Sequence, residues 1–90
     1  MARDIRTIYV ANLPWTMAED ELFALFSQHV PVAGCRVIQD RETGRSRGFA
    51  FVEVDGPEAM AKAVSCLDGH ECHGRRLSVS PARQGRGGAG

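Results

Sequence analysis

The chain has 90 residues, enough for one small domain. Apolar residues make up 43% and charged residues 24%, a balance that suits a globular domain and excludes a disordered polyelectrolyte. Eleven basic and eleven acidic residues cancel, so a histone-like polycation is excluded, although a local basic patch is not. No apolar run approaches the roughly 18 residues of a membrane span. The start, Met1 to Arg6, has no apolar signal-peptide core, so the expectation is a protein that acts inside a cell. Three cysteines, Cys35, Cys66 and Cys72, form no Cys-x-x-Cys, and reduced, mostly packed thiols are expected.

Thr7-Ile8-Tyr9-Val10-Ala11 is β-branched and aromatic and stops at Asn12-Leu13-Pro14, which predicts a strand. Thr16-x-x-Glu19 has the form of a capping box. Behind it Ala18, Leu22, Leu25 and Phe26 recur at helical spacing, and the helix is expected to end near His29, before Pro31. Phe23 lies off that stripe and is expected to be partly buried at its edge. Cys35 to Ile38 predicts a second strand, Asp40 to Ser46 a polar loop, and Gly48 to Val54 a third strand paired with the second. Gly56-Pro57 opens a second helix whose stripe is Ala59, Ala63, Val64 and Leu67, with Gly69 as its C-terminal cap. Leu77-Ser78-Val79 predicts a final strand. The segment from Arg83 to Gly90 carries no core-forming residue and is expected to be disordered.

The order β-α-β-β-α-β is an α+β, ferredoxin-like plait, a four-stranded antiparallel sheet backed on one face by two helices. The other face is left bare. Alternation along the strands turns Ile8, Val10, Ala50, Val52 and Val54 inward, and Tyr9, Ala11, Arg47, Phe49, Phe51 and Glu53 outward. Three aromatic rings on an open face beside arginine suit flat, anionic ligands, because bases stack on rings while arginines neutralise phosphates. Arg36, Arg41, Arg45, Arg47, Arg76, Arg83 and Arg86 fall on that face, its hairpin loop or the tail, against Asp40, Glu42 and Glu53. Glu19, Asp20, Glu21, Asp55, Glu58 and Asp68 sit on or beside the helices, so a neutral chain has a basic side and an acidic back.

Ile8-Tyr9-Val10-Ala11-Asn12-Leu13 resembles the hexamer motif of the RNA recognition motif domain. Arg47-Gly48-Phe49-Ala50-Phe51-Val52-Glu53-Val54 resembles its octamer motif. The resemblance runs from about Thr7 to Ala82, which predicts a domain over 5–82 and a tail over 83–90. It implies that Tyr9 and Phe51 stack bases, that Phe49 packs near the sugars, and that Arg47 pairs with phosphate. Asn12 is expected to shape the strand end. Val54 departs from the octamer, which usually ends in an aromatic; it faces the core, so the platform is left intact. Arg36 and Ile38 share the open side of the second strand and are expected to offer a phosphate contact and an apolar contact. Ser78, Ser80 and the Ala82-Arg83 backbone are candidates for hydrogen bonds to base edges, and Arg45 and Arg76 add positive charge. Trp15 is expected to pack against the first helix. The chain resembles small stand-alone bacterial members of the family with glycine-rich tails, or a module excised from a larger eukaryotic protein.

Other readings are weaker. His70-Glu71-Cys72-His73, with Cys66 upstream, has the ligand types for zinc. It occupies the family's variable loop, however, and Cys66 is expected to face the core. Heavy-metal transport domains share the element order but carry Cys-x-x-Cys where this chain has Asn12-Leu13-Pro14-Trp15. No nucleophile has an evident base and no Walker-type Gly-Lys-Ser/Thr occurs, so an enzyme is not expected. The expected function is post-transcriptional, binding of single-stranded RNA. Single-stranded DNA stays open, since contacts to the 2′-hydroxyl are not legible in sequence. No cofactor, metal or membrane is expected. The chain is expected to be a monomer, cytoplasmic in a bacterium or nuclear in a eukaryote. The alternative is a protein–protein interaction module that uses the same aromatic face.

Overall fold

A computed structural model describes residues 4–14, 16–39, 42–43 and 46–82, and the side chains of Gln39, Ser46 and Arg47 lie outside that description. Trp15, Arg41, Arg45 and the segment 83–90 also fall outside it, so the expectations for Trp15 and the tail are not addressed. The elements are β1 (Ile5–Ala11), α1 (Glu19–Ser27), β2 (Val32–Gln39), β3 (Ser46–Asp55), α2 (Pro57–Leu67), β4 (Glu71–Cys72), β5 (Arg75–Arg76) and β6 (Ser78–Pro81).

Four strands form one antiparallel sheet in the order β2-β3-β1-β6, with α1 packed mainly on β2 and α2 on β6, β1 and β3. This is the βαββαβ plait expected from the pattern. Ile8, Val10, Ala50, Val52 and Val54 are fully buried, as the period of two requires. Leu22 and Phe26 from α1 and Ala63 and Leu67 from α2 close over them. Leu13, Met17, Val30 and Leu77 seal the core from the connecting segments, and among the described residues no polar side chain is buried there.

Several local expectations are corrected. There is no capping box at Thr16: α1 begins later, its N-cap is Ala18, and no side chain caps it. The Met17 N–H bonds back to the Pro14 carbonyl at 2.9 Å, so a turn occupies the place of the expected first helical residues. Glu19 instead reaches across to β2, where its Oε2 accepts the Val37 N–H at 3.1 Å. The three carboxylates Glu19, Asp20 and Glu21 still suit the positive end of the helix dipole. Phe23 is 43% exposed, more than the partial burial expected of it. Cys66 is exposed and does not face the core, while Cys35 and Cys72 are half-buried.

β1 and β2 are both longer than their apolar runs. Ile5 and Arg6 gain strand geometry by pairing with Asp55 and Val54. β2 starts at Val32 because Val32 and Gly34 find partners in Val54 and Glu53, with a register shift between them. The β4–β5 hairpin was not expected. His73 and Gly74 at its tip both have positive φ, 51° and 82°, as a two-residue type I′ turn requires. α2 matches expectation: Pro57 opens it, and Gly69, at φ 83°, takes the left-handed conformation just past its end.

Candidate nucleic-acid interface

Register places the outward side chains in rows across the sheet. Tyr9 lies opposite Phe51 on one side and Ser80 on the other, and Phe51 lies opposite Arg36. Directly paired residues share a face, so Arg36, Phe51, Tyr9 and Ser80 form one line over four strands. The next row is Phe49, Ala11 and Ser78. The helices occupy the opposite side, and nothing in the described chain covers these rows.

The three rings are half-buried, not fully open, because they pack on one another. Tyr9 and Phe51 have centroids 5.6 Å apart, Tyr9 and Phe49 6.0 Å, and Phe49 and Phe51 6.2 Å with planes at 83°. Those separations are typical of stable edge-to-face and tilted pairs. The mutual contact holds the rings in place while leaving one surface of the cluster open to a flat ligand.

Other expected site residues are distributed unevenly. Arg36 is exposed on the face; Ser78 is exposed and Ser80 half-buried in β6. Ile38 is half-buried in β2, next to a register shift between Val37 and Gln39 whose extra residues lie in β3. Arg76 is not on the four-stranded sheet but in β5 of the small hairpin. Arg47 belongs to β3 by its backbone, and Arg45 and Arg83 lie outside the described residues. The basic side therefore rests, among the described residues, on Arg36 in β2 and on exposed Arg75 and Arg76 in the separate hairpin. The acidic back is explicit: Glu19, Asp20 and Glu21 on α1 and Glu58 on α2 are exposed.

Asn12 shapes the end of β1, as expected. It has φ 60°, and its Nδ2 donates to the Arg76 carbonyl at 2.7 Å, fixing the hairpin against the sheet. The Arg75 guanidinium adds a longer bond to the Leu13 carbonyl at 3.4 Å. Val54 is fully buried, so its departure from the motif stays in the core.

A depression borders the ring cluster on the β2 side, lined by Thr7, Gly34, Cys35, Arg36, Phe51 and Glu53. Thr7 and Glu53 were missed as site residues, although each stands two positions from an outward aromatic, Tyr9 and Phe51, and so shares its face. The Cys35 thiol is pushed up to about 11 from an ordinary 9.0, by burial first and the Glu19 carboxylate second. Burial likewise raises Cys72, helped by Glu21. No shift of this kind activates a nucleophile. Among the described residues no three His, Cys, Asp or Glu converge as metal ligands, and His73 Nε2 instead contacts Glu21 at 2.5 Å. No described helix is long and apolar enough to cross a membrane.

Comparison with known proteins agrees with this geometry. An Arabidopsis thaliana chloroplastic RNA-binding protein, CP31B, is 46% identical over 77 residues, covering 86% of this chain and 27% of its own length. The Nostoc protein RbpE, named for RNA binding, is 44% identical over 77 residues, covering 86% of this chain and 78% of its own length. The chain spans about a quarter to a third of the chloroplast relatives it matches. The structure of the Rna15 domain with bound RNA superposes with TM-score 0.79 at 31% identity, covering 89% of both chains. The family profile of the RNA recognition motif matches residues 8–78, which include both sheet motifs and both helices, and the chain belongs to that family.

Proposed function

We propose that the chain binds single-stranded RNA on the open face of the four-stranded sheet. The observation that carries this is the mutually packed cluster of Tyr9, Phe49 and Phe51, in line with Arg36, on the face that no helix covers. Tyr9 and Phe51 each stack a base, Phe49 packs against ribose between them, and Arg47 pairs with phosphate. Ser78 and Ser80 offer hydroxyls to base edges at the β6 side, and Arg45, Arg76 and Arg83 add positive charge around the path. The protein acts as a monomer, and the segment 83–90 adds contacts that carry no sequence information.

Each base stack contributes roughly 1–3 kcal/mol. Two stacks and a few phosphate contacts give an affinity on the order of micromolar. The match to most of the Nostoc protein supports a bacterial cytoplasm as the compartment.

The test is a titration of ¹⁵N-labelled protein with a mixed-sequence RNA octamer, followed by amide chemical shifts. The expected result is perturbation centred on Tyr9, Ala11, Phe49, Phe51 and Ser80, with α1 and α2 still. Absence of shifts, or shifts confined to the surface of α1 around Phe23, would overturn the proposal. The aromatic face would then be a protein-docking surface.

A further inference from the structure

The depression beside Phe51 has the chemistry of a base-edge reader. Its four principal corners come from two adjacent strands: Phe51 opposite Arg36, and Glu53 opposite Gly34. Gly34 supplies no side chain, and the Glu53 carboxylate fills the space this leaves. A Cβ built on Gly34 would stand 2.9 Å from Glu53 Oε1. The carboxylate thus leans over β2, toward the strand that carries Arg36. Neither group is engaged, since no hydrogen bond or ion pair joins Glu53 or Arg36 to another described residue. An acceptor-only group and a donor-only group therefore stand free at one depression, beside an aromatic ring.

A carboxylate on a face that receives a polyanion repels every phosphate that passes it. It is productive only toward a ligand edge that presents donors. Among the four RNA bases, guanine alone offers two adjacent donors, N1–H and the N2 amino group, which match both oxygens of a carboxylate. It also offers the O6/N7 acceptor pair that a guanidinium reads bidentately. Cytosine and adenine each place a ring acceptor beside their amino group, and uracil flanks its single N–H with two carbonyls. These three meet the carboxylate with at least one repulsive lone pair.

We infer that the depression lined by Phe51, Glu53, Gly34 and Arg36 is a guanine-selective subsite. Glu53 accepts from N1–H and N2–H of a base that extends from Phe51 over Gly34, and Arg36 donates to its O6/N7 edge. This rests on the RNA-binding function proposed above and adds the base that the face selects. It also assigns Arg36 to a base edge and not to phosphate.

The experiment measures binding of fluorescein-labelled UUUGUUU and UUUUUUU to the whole chain, wild type, Glu53→Gln and Gly34→Ala, by anisotropy. The readout is the ratio of the two affinities, because removing a negative charge strengthens binding to any RNA and cancels in the ratio. Each well-placed bidentate pair is worth about tenfold in discrimination, so wild type, with two, is expected to prefer the guanine heptamer by about tenfold or more. In Glu53→Gln the ratio is expected to fall severalfold, and what remains is the share that Arg36 contributes. Gly34→Ala displaces the carboxylate without removing it and is expected to lower the ratio as well. Replacing guanine by inosine, which lacks the N2 amino group, is expected to lower the preference of wild type more than that of Glu53→Gln. Equal wild-type affinity for both heptamers, or a preference undiminished in Glu53→Gln, would overturn the subsite and leave RNA binding standing. Failure of wild type to bind either heptamer would overturn the function itself.

Discussion

Asn12 offers a sharp test of how the end of β1 is built. It combines a left-handed backbone, φ 60°, with a 2.7 Å hydrogen bond from its side chain to the Arg76 carbonyl. Asn12→Ala loses both advantages. A β-carbon in the left-handed region costs about 1–2 kcal/mol in any residue without a local polar compensation. The hydrogen bond is exposed, so its loss adds about 0.5–1 kcal/mol, the lower half of the usual range. Together these give about 2 kcal/mol, or a fall in Tm on the order of 10 °C for a domain of this size. Asn12→Gly loses the hydrogen bond but has no β-carbon to strain, so its loss is about 1 kcal/mol and on the order of 5 °C. The expected order, alanine worse than glycine, reverses the one found in regular strands and helices. Thermal and urea denaturation of the two variants beside wild type measures it. Asn12→Ala at or above the stability of Asn12→Gly would refute the account of this strand end.

The other predictions concern the thiols, the helix start and the phosphate path. With its thiol at about 11 against an ordinary 9.0, Cys35 is expected to react with iodoacetamide at pH 8 about a hundredfold more slowly in the folded protein than in the urea-unfolded chain, as peptide mass mapping would show. Below pH 9.0 both states are protonated and stability does not depend on Cys35; as pH rises from 9.0 through about 11 the unfolded thiol ionises first and stability falls. Glu19→Ala strands the Val37 N–H and is expected to lower stability by about 1–2 kcal/mol in denaturant titration, whereas Glu19→Gln, which keeps an acceptor, loses less. Arg47→Gln is expected to weaken binding about equally for all RNA sequences. It should also reduce the slope of log affinity against log salt by about 0.7, as one lost phosphate contact would.

Much of the fold was legible because two periods rarely conflict in this chain. Alternation in β1 and β3 separated Ile8, Val10, Val52 and Val54 from Tyr9, Phe49 and Phe51, and burial of the first four is complete. What the local pattern missed depends on partners distant in sequence. Val32 to Gly34 looks like a loop until Val54 and Glu53 pair with it. Thr16 and Glu19 have capping-box spacing, but Glu19 finds a backbone donor on β2 instead of at its own helix end. The His73-Gly74 turn was signalled by its glycine, yet two-residue strands on either side are too short to show a period. At the site, the rings and Arg36 could be named from sequence. The Glu53 acceptor could not, because its role depends on Gly34 lying opposite on another strand.

The measurement that tests the central claim most directly is fluorescence anisotropy of a labelled random-sequence RNA octamer, titrated with wild type and Phe51→Ala at low and moderate salt. Phe51 faces outward, so its truncation removes a stacking surface without opening the core that Val52 and Val54 fill. The account predicts wild-type binding on the order of micromolar, weakened about tenfold or more in the variant, as the loss of one base stack requires. Equal binding by both proteins, with circular dichroism showing both folded, would contradict it.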